Sequence, residues 1–230
     1  MQSSLVLTLM RNEGPFILEW VAWQKMLGFE NILVMFNDCT DHSPQLLRLL
    51  EREGVLNCKR HTPEPDEHPQ PSAARNAAQH PLVKEAEWMF TCDVDEFLVI
   101  HQGDGTIGAL LQNGDVPYAA MAIHWRIFGS NQLTIWQDGL VHQQFTQSSL
   151  PETKQNNGFK SIVKQPRNYA KLNTHCTSGW IGSGSWDQSG NYWVLSDGSK
   201  LDGFHPDKRP MNSTSQDLMT HKVAEVHHYA

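Results

Sequence analysis

Three things are scarce in this sequence: paired cysteines, long apolar runs and positive charge. The four cysteines, Cys39, Cys58, Cys92 and Cys176, form no Cys-x-x-Cys pair and no zinc-like spacing. That fits reduced thiols better than a disulfide framework, with Cys92 a small buried residue inside an apolar run. No apolar run approaches the roughly 18–20 residues that span a bilayer. The opening Met-Gln-Ser-Ser lacks the basic region and apolar stretch of a signal peptide. A cytoplasmic protein is therefore expected, with peripheral membrane contact through a further segment as the alternative. Eighteen Lys and Arg face 25 Asp and Glu, a formal charge of −7. This balance argues against non-specific nucleic-acid binding and against docking on anionic lipid. There is no internal repeat, low-complexity tract or clear linker.

What is present is enough to bury a core: 230 residues, 39% of them hydrophobic. The first half alternates strand and helix signals. Apolar runs at Leu5–Met10, Ile32–Phe36, Val55–Lys59 and Trp88–Cys92 read as strands. Between them, Pro15 stands at an expected first helical position, Ile17, Trp20, Val21 and Leu27 share a helix side, and Gly28 suits its stop. Ser43-Pro44 opens a second helix with Leu46, Leu47 and Leu50 inward. Ser72–Gln79 reads as a third helix that Pro81 interrupts. The alternation predicts an α/β fold: a Rossmann-like, mostly parallel central sheet with helices on both faces. After about residue 115 the pattern loosens, with strands at Ala119–Ile127 and Ser161–Lys164. That half is expected to be a smaller antiparallel extension that completes a cleft, giving one domain over 1–230 with a ligand-binding half at 1–115.

Right-handed crossovers put every strand-to-helix loop on one edge of such a sheet, where ligands bind. Three polar clusters fall there: Arg11/Asn12/Glu13, Asn37/Asp38/Asp41 and Asp93/Asp95/Glu96. On a continuing strand Asp93 and Asp95 would share a face while Val94 points into the core. Two neighbouring carboxylates repel unless a cation lies between them. Mg²⁺ or Mn²⁺ takes one or two protein carboxylates and fills its octahedron with phosphate oxygens and water, so the pair suits a metal–diphosphate. Asp-x-Asp alone also occurs at solvated strand ends. Here apolar runs bracket it on both sides, which favours a site.

Several blocks together resemble the family 2-like glycosyltransferases. Leu-Thr-Leu-Met-Arg-Asn-Glu-Gly (7–14), Leu-Glu-Trp-Val (18–21) and Leu-Gly-Phe-Glu-Asn-Ile (27–32) look like their opening, and Asp-Val-Asp-Glu-Phe-Leu (93–98) like their Asp-x-Asp motif. Trp-Arg-Ile-Phe-Gly-Ser-Asn (125–131), Lys-Ser-Ile-Val-Lys (160–164) and His-His-Tyr (227–229) look like later blocks. The resemblance implies a GT-A fold, a nucleotide-sugar donor such as a UDP-sugar, a glycan or other hydroxyl acceptor, and Mn²⁺ or Mg²⁺ on the diphosphate. It implies Asp93, Asp95 and His228 as metal ligands, and Arg11, Glu13 and Asp38 near the nucleotide. Asn37 shares the cluster of Asp38, and Lys160 falls in a matched block without an assigned contact. The loop Phe-Asn-Asp-Cys-Thr-Asp departs from the commoner Asp-Asn-x-Ser-x-Asp. The chain ends at Tyr229-Ala230, where similar sequences continue with Lys-Ser and a basic helix, so a shortened C-terminus is expected.

The expected reaction is direct displacement at an anomeric carbon, with inversion and a carboxylate as base. Glu152, Asp187 and Asp202 are eligible bases, none in a recognisable motif. His227 and His228 would face opposite sides of a strand, so one of them at most enters the site. His175 is eligible for the cleft but as readily structural. Trp20 and Trp88 read as core. Trp125, Trp180 and Trp186 are candidates for stacking on sugars, with packing the plainer alternative. Gly-Trp-Ile-Gly-Ser-Gly-Ser (179–185) is not a Walker loop and reads as an acceptor loop. Three rivals remain: a sugar-nucleotide pyrophosphorylase, which lacks its glycine-rich first loop here; an aspartyl-phosphate phosphatase, whose motif would follow the first strand; and a catalytically silent carbohydrate-binding module.

Overall fold

The computed structural model describes residues 3–112, 117–188, 190–204 and 211–229. Its first half follows the strand–helix alternation. β1 (Ser4–Met10), β2 (Asn31–Phe36), β3 (Asn57–Arg60) and β4 (Trp88–Thr91) run parallel, in the order β3-β2-β1-β4. β1 is buried along its whole length because it is covered on both faces. Leu5, Leu7 and Leu9 face one apolar cluster, Val6 and Met10 the other. That is why it reads as a continuous apolar run and not as an alternating one.

The helices α1 (Ile17–Met26) and α2 (Ser43–Arg52) cover one face through Ile17, Trp20, Val21 and Leu47. α1 begins two residues after Pro15, which lies in the preceding turn, and Gly28 closes its C-terminal end at φ +87°. A side chain there would be strained, so glycine is the residue that fits. α3 (Pro69–Ala78) and α4 (Pro81–Glu85) cover the other face. Three residues longer at its start than its sequence signal, α3 meets the sheet through Ala73, Ala74 and Ala77, whose small side chains let it lie close.

The second half joins the same sheet. β5 (Glu96–Ile100) follows β4 after a tight turn, and α5 (Ile107–Leu111) follows it. β6 (Ala120–Phe128), β7 (Phe159–Lys164), β10 (Trp193–Leu195) and β11 (Ala224–Tyr229) complete the order β4-β7-β6-β11-β5, with β10 on β6. A short α6 (Val141–Gln144) follows β6. The remaining strands, β8 (Tyr169–Lys171) and β9 (Ser178–Trp180), form a separate antiparallel pair. The expected antiparallel extension is thus mixed: β7 is antiparallel to both neighbours and β11 to β5, but β10 and β11 run parallel to β6. β6 links the parts. Its residues 120–124 pair with β7 and 125–128 with β11. All four cysteines are free, and Cys92 is buried. Among the described residues no helix is long and apolar enough to cross a membrane.

β11 is held beside β6 by an ion pair. Arg126 donates from Nε and Nη2 to Glu225 Oε2 at 3.1 and 3.0 Å, and His227 Nε2 lies 2.9 Å from Oε1. Burial opposes ionisation of Glu225, but the hydrogen bonds from His227 and Arg126 outweigh it and pull the carboxyl down to about 2. A lowered folded-state value means stability that is full above the unfolded value near 4.5 and lost as pH falls toward 2. Glu225→Gln is expected to cost roughly 3 kcal/mol at pH 7, the free energy of a shift of that size. Urea unfolding from pH 7 to pH 2 checks this. A variant whose stability falls with acid as steeply as the parent's would show that the pair contributes nothing.

Candidate active site

Four loops meet at the carboxyl edge of the parallel strands. After β1, Asn12 (φ 60°) accepts from the Thr40 backbone N–H at 2.7 Å, and after β2, Asp38 has φ 44°. Non-glycine residues in this region are uncommon and cluster at functional loops. Asp41 ties the two loops together, accepting from Gly14 N at 3.0 Å and from Ser43 N and Oγ at 3.0 and 2.8 Å. The third loop is the Asp-x-Asp turn, and the fourth contributes Pro69, Gln70 and Ala73 from the start of α3. Together they enclose a cavity of about 380 Å³ lined also by Arg11, Glu13, Asn37, Asp93 and Asp95.

The two motif acids do not lie on a continuing strand, as the sequence suggested. β4 ends at Thr91, and Asp93–Asp95 forms a turn that carries the chain to β5. Glu96 makes the turn. Its backbone N–H donates to Asp93 O at 3.2 Å, and its Oε2 accepts from Asp93 N at 2.8 Å. Val94 is still buried, so the inward placing of that side chain holds although its cause is a turn.

Beneath the turn lies a buried ion cluster. Lys160, fully buried on β7, places Nζ 2.7 Å from Asp93 Oδ2 and 3.1 Å from Glu96 Oε2. The other Glu96 oxygen accepts from Trp125 Nε1 at 2.9 Å. Every oxygen of this buried carboxylate is therefore satisfied. Burial works against the Lys160 charge, but the carboxylates of Glu96 and Asp93 outweigh it and hold the ammonium above its usual range. Burial likewise raises the Glu96 carboxyl, against the pull of Lys160. Gly158 makes room for Trp125: a Cβ there would fall 2.2 Å from the indole ring.

The sequence resemblance left Lys160 without a contact, and neither Glu96 nor Trp125 was singled out as a partner. The missed signal was an acid opening the apolar strand Glu96–Ile100 and a base inside the apolar strand Phe159–Lys164. Each inward charge needs a buried partner of opposite sign.

Three acids remain around the cavity: Glu13, Asp93 and Asp95. Burial first, then the charges of Asp95 and Asp93, push the Glu13 carboxyl up to about 7. The Asp95 side chain is half exposed. β11 brings His228 to it, with Nε2 3.7 Å from Asp95 Oδ2 and the ring 4.8 Å from that of Trp125. Nδ1 of His228 is buried without a partner. His227 turns the other way, to Glu225 and Phe128. Among the described residues no three His, Cys, Asp or Glu side chains stand together in a ready metal cage. The set fits a cation that takes one or two protein carboxylates and completes its shell with phosphate and water.

The remaining candidates fall out differently. Arg11 and Asn37 line the cavity; Asp38 does not, but accepts from Asn37 Nδ2 at 2.9 Å. Glu152, Asp187 and Asp202 are exposed and line neither this cavity nor the larger one beside it, so the structure does not bring the three base candidates to the site. His175 packs against Trp125 at 5.4 Å. The 179–185 segment begins in β9, its Trp180 packs on Tyr169, and it lines neither cavity. The acceptor loop expected there is therefore not at this edge.

The buried cluster makes a stability prediction. Lys160→Met leaves Glu96 buried without its cation and is expected to cost about 3–5 kcal/mol. The double variant Lys160→Met/Glu96→Gln removes the orphaned charge and should recover part of the loss. Urea unfolding of both checks this; a double variant no more stable than the single one would refute the pairing.

The chain is similar to S. aureus TarS 1-349 in complex with UDP-GlcNAc, at 14% identity and a TM-score of 0.45, over 92% of this chain and 62% of that one. A second S. aureus TarS 1-349 structure gives 14% identity and a TM-score of 0.42 over 72% and 47%. The mannosyltransferase Ktr4p from S. cerevisiae in complex with GDP gives 11% and 0.34 over 57% and 42%. The chain thus spans between 42% and 62% of the length of these structures. No curated protein matches it by sequence. The family model that matches, over residues 7–194, is Glycosyltransferase family 92. That match covers most of the chain, including both strand-end loops, the Asp-x-Asp turn and Lys160, and the chain belongs to glycosyltransferase family 92.

Proposed function

We propose that this chain transfers a sugar from a nucleotide-diphosphate donor to an acceptor hydroxyl, with the diphosphate held at the Asp93–Asp95 turn and a UDP-sugar as the first donor to test. The observation that carries the reading is the convergence of Glu13, Asp93 and Asp95 on one cavity, with the Glu13 carboxyl pushed to about 7 by burial and by its two acidic neighbours. Such a cavity carries negative charge in search of a cation. A diphosphate alone would be repelled there; a diphosphate with a divalent metal would not.

Asp93 and Asp95 would hold Mn²⁺ or Mg²⁺, with His228 beside Asp95. The metal would supply neutralisation of the charge that develops on the departing diphosphate. Of the two acids, Asp93 is oriented by Lys160 and by the turn that Glu96 makes, so its carboxylate is held before any ligand arrives. Arg11, on the cavity wall, can meet phosphate oxygens the metal leaves uncovered. Asn37 offers an amide on the same wall. Displacement with inversion is the stereochemical outcome this reading carries.

Calorimetric titration of UDP with and without Mn²⁺ tests it. UDP is expected to bind with Mn²⁺ present and to lose most affinity in a chelator. Asp95→Asn should weaken Mn²⁺-supported binding by about 10–100-fold, the worth of a charge-assisted contact. Its melting temperature without metal should not fall, because Asp95 is half exposed and its removal relieves repulsion on Glu13. Nucleotide affinity indifferent to both chelator and Asp95→Asn would sink the metal–diphosphate reading.

A further inference from the structure

Beside the acidic cavity, and sharing Glu13, Val94 and Asp95 with it, lies a larger one of about 520 Å³. Its volume falls within the range of small-molecule sites. Its floor is aromatic: Phe128 and Phe145 pack around Tyr229, at 4.8 and 6.4 Å between ring centroids. Its mouth is formed by the 129–140 segment, where Trp136 stands edge-on to Phe16 at 5.7 Å yet remains 63% exposed, beside Ile135 at 77%.

Exposed apolar patches rimmed by polar residues mark binding grooves, whereas single exposed apolar side chains need no partner. This loop is also fastened at both ends by side chains. At its start Asn131 donates to Gln144 O at 2.8 Å and accepts from Gln147 N at 3.0 Å. At its end Glu19, from α1, accepts from Val141 N at 2.7 Å and His142 N at 3.2 Å and meets His142 Nδ1 at 2.6 Å. The loop that carries Trp136 beside the cavity is thus tied at both ends by a polar frame.

We propose that this cavity binds a sugar ring of the acceptor, stacked on Trp136, with its hydroxyls directed to the wall that carries Glu13 and Asp95. The inference rests on the sugar-transfer reading above. A pyranose has an apolar C–H face for the aromatic ring and hydroxyls for acids and amides. An alkyl chain would satisfy the aromatic floor but would leave Glu13 and Asp95 desolvated against methylene groups. The shared wall also puts an acceptor hydroxyl next to the acids assigned to the donor, as a transfer in one step requires.

The test uses the full chain and a panel of methyl glycosides of the common hexoses and N-acetylhexosamines, with n-octanol as the apolar probe. Binding is read by saturation-transfer NMR and by tryptophan fluorescence. At least one methyl glycoside should bind through its ring protons, bind about tenfold more weakly to Trp136→Ala, and keep its affinity within about threefold in Trp136→Phe, which retains the aromatic face. UDP affinity with Mn²⁺ should stay within about twofold in both variants. Glycoside binding unchanged by Trp136→Ala, no binding across the panel, or octanol binding in place of the glycosides would each overturn the proposal. So would a loss of UDP affinity in Trp136→Ala. Failure of UDP to bind the parent chain would instead strike the donor reading, and leaves the glycoside result to stand by itself.

Discussion

The ammonium of Lys160 is the charge on which this site is built. It lies in the interior, on a strand whose other buried residues are uncharged, and touches two carboxylates from two ends of one turn. Without it, Glu96 would be a buried carboxylate with no cation beside it at the turn from β4 to β5. Buried ion pairs of this kind are poor sources of net stability, since desolvation takes back most of the Coulomb gain. What they give is geometry. The Glu96 carboxylate has one arrangement that satisfies Lys160, Trp125 and the Asp93 N–H together, and that arrangement sets the direction of Asp93.

Much of the first half was legible from sequence, for a physical reason. Strands covered on both faces are mostly apolar, and helices between them often start at proline and stop at glycine, so Leu5–Met10, Gly28 and Ser43-Pro44 each carried a local signal. The second half was harder. β6 owes its two sets of partners to residues far away in the chain, and β11 is placed by Glu225 meeting Arg126, 99 positions apart. No local pattern records such a pairing. The mixed direction of β10 and β11 was missed on the same account.

The site divides along the same line. The three polar clusters at strand ends could be brought together from topology alone, and the cavity is lined by members of all three. The eligible bases could not. Glu152, Asp187 and Asp202 were picked for being acidic in the irregular half, and exposure of an acid in a turn is its ordinary state. The more telling residues were acids and bases where the pattern demanded apolar ones. Glu96 and Lys160 break the periodicity of their strands, and such a break marks a place where another requirement has overridden packing.

Charge at this edge is therefore arranged in two tiers. In the lower tier Lys160 answers Glu96 and shares Asp93, with the side chains of Lys160 and Glu96 fully buried. In the upper tier Asp95 and Glu13 face a cavity, with His228 and Arg11 nearby but, among the described residues, no buried ammonium between them. The rise of the Glu13 carboxyl is the measure of that imbalance: burial and its two acidic neighbours together favour its proton. A fold that could place one lysine under this turn could have placed a second above it. It instead leaves the upper acids open beside an aromatic floor and an exposed tryptophan on a fastened loop. On the proposed reading, that combination would take a cation with its phosphates on one side of Asp95 and a sugar face on the other, and neither surface alone would make a site for joining the two.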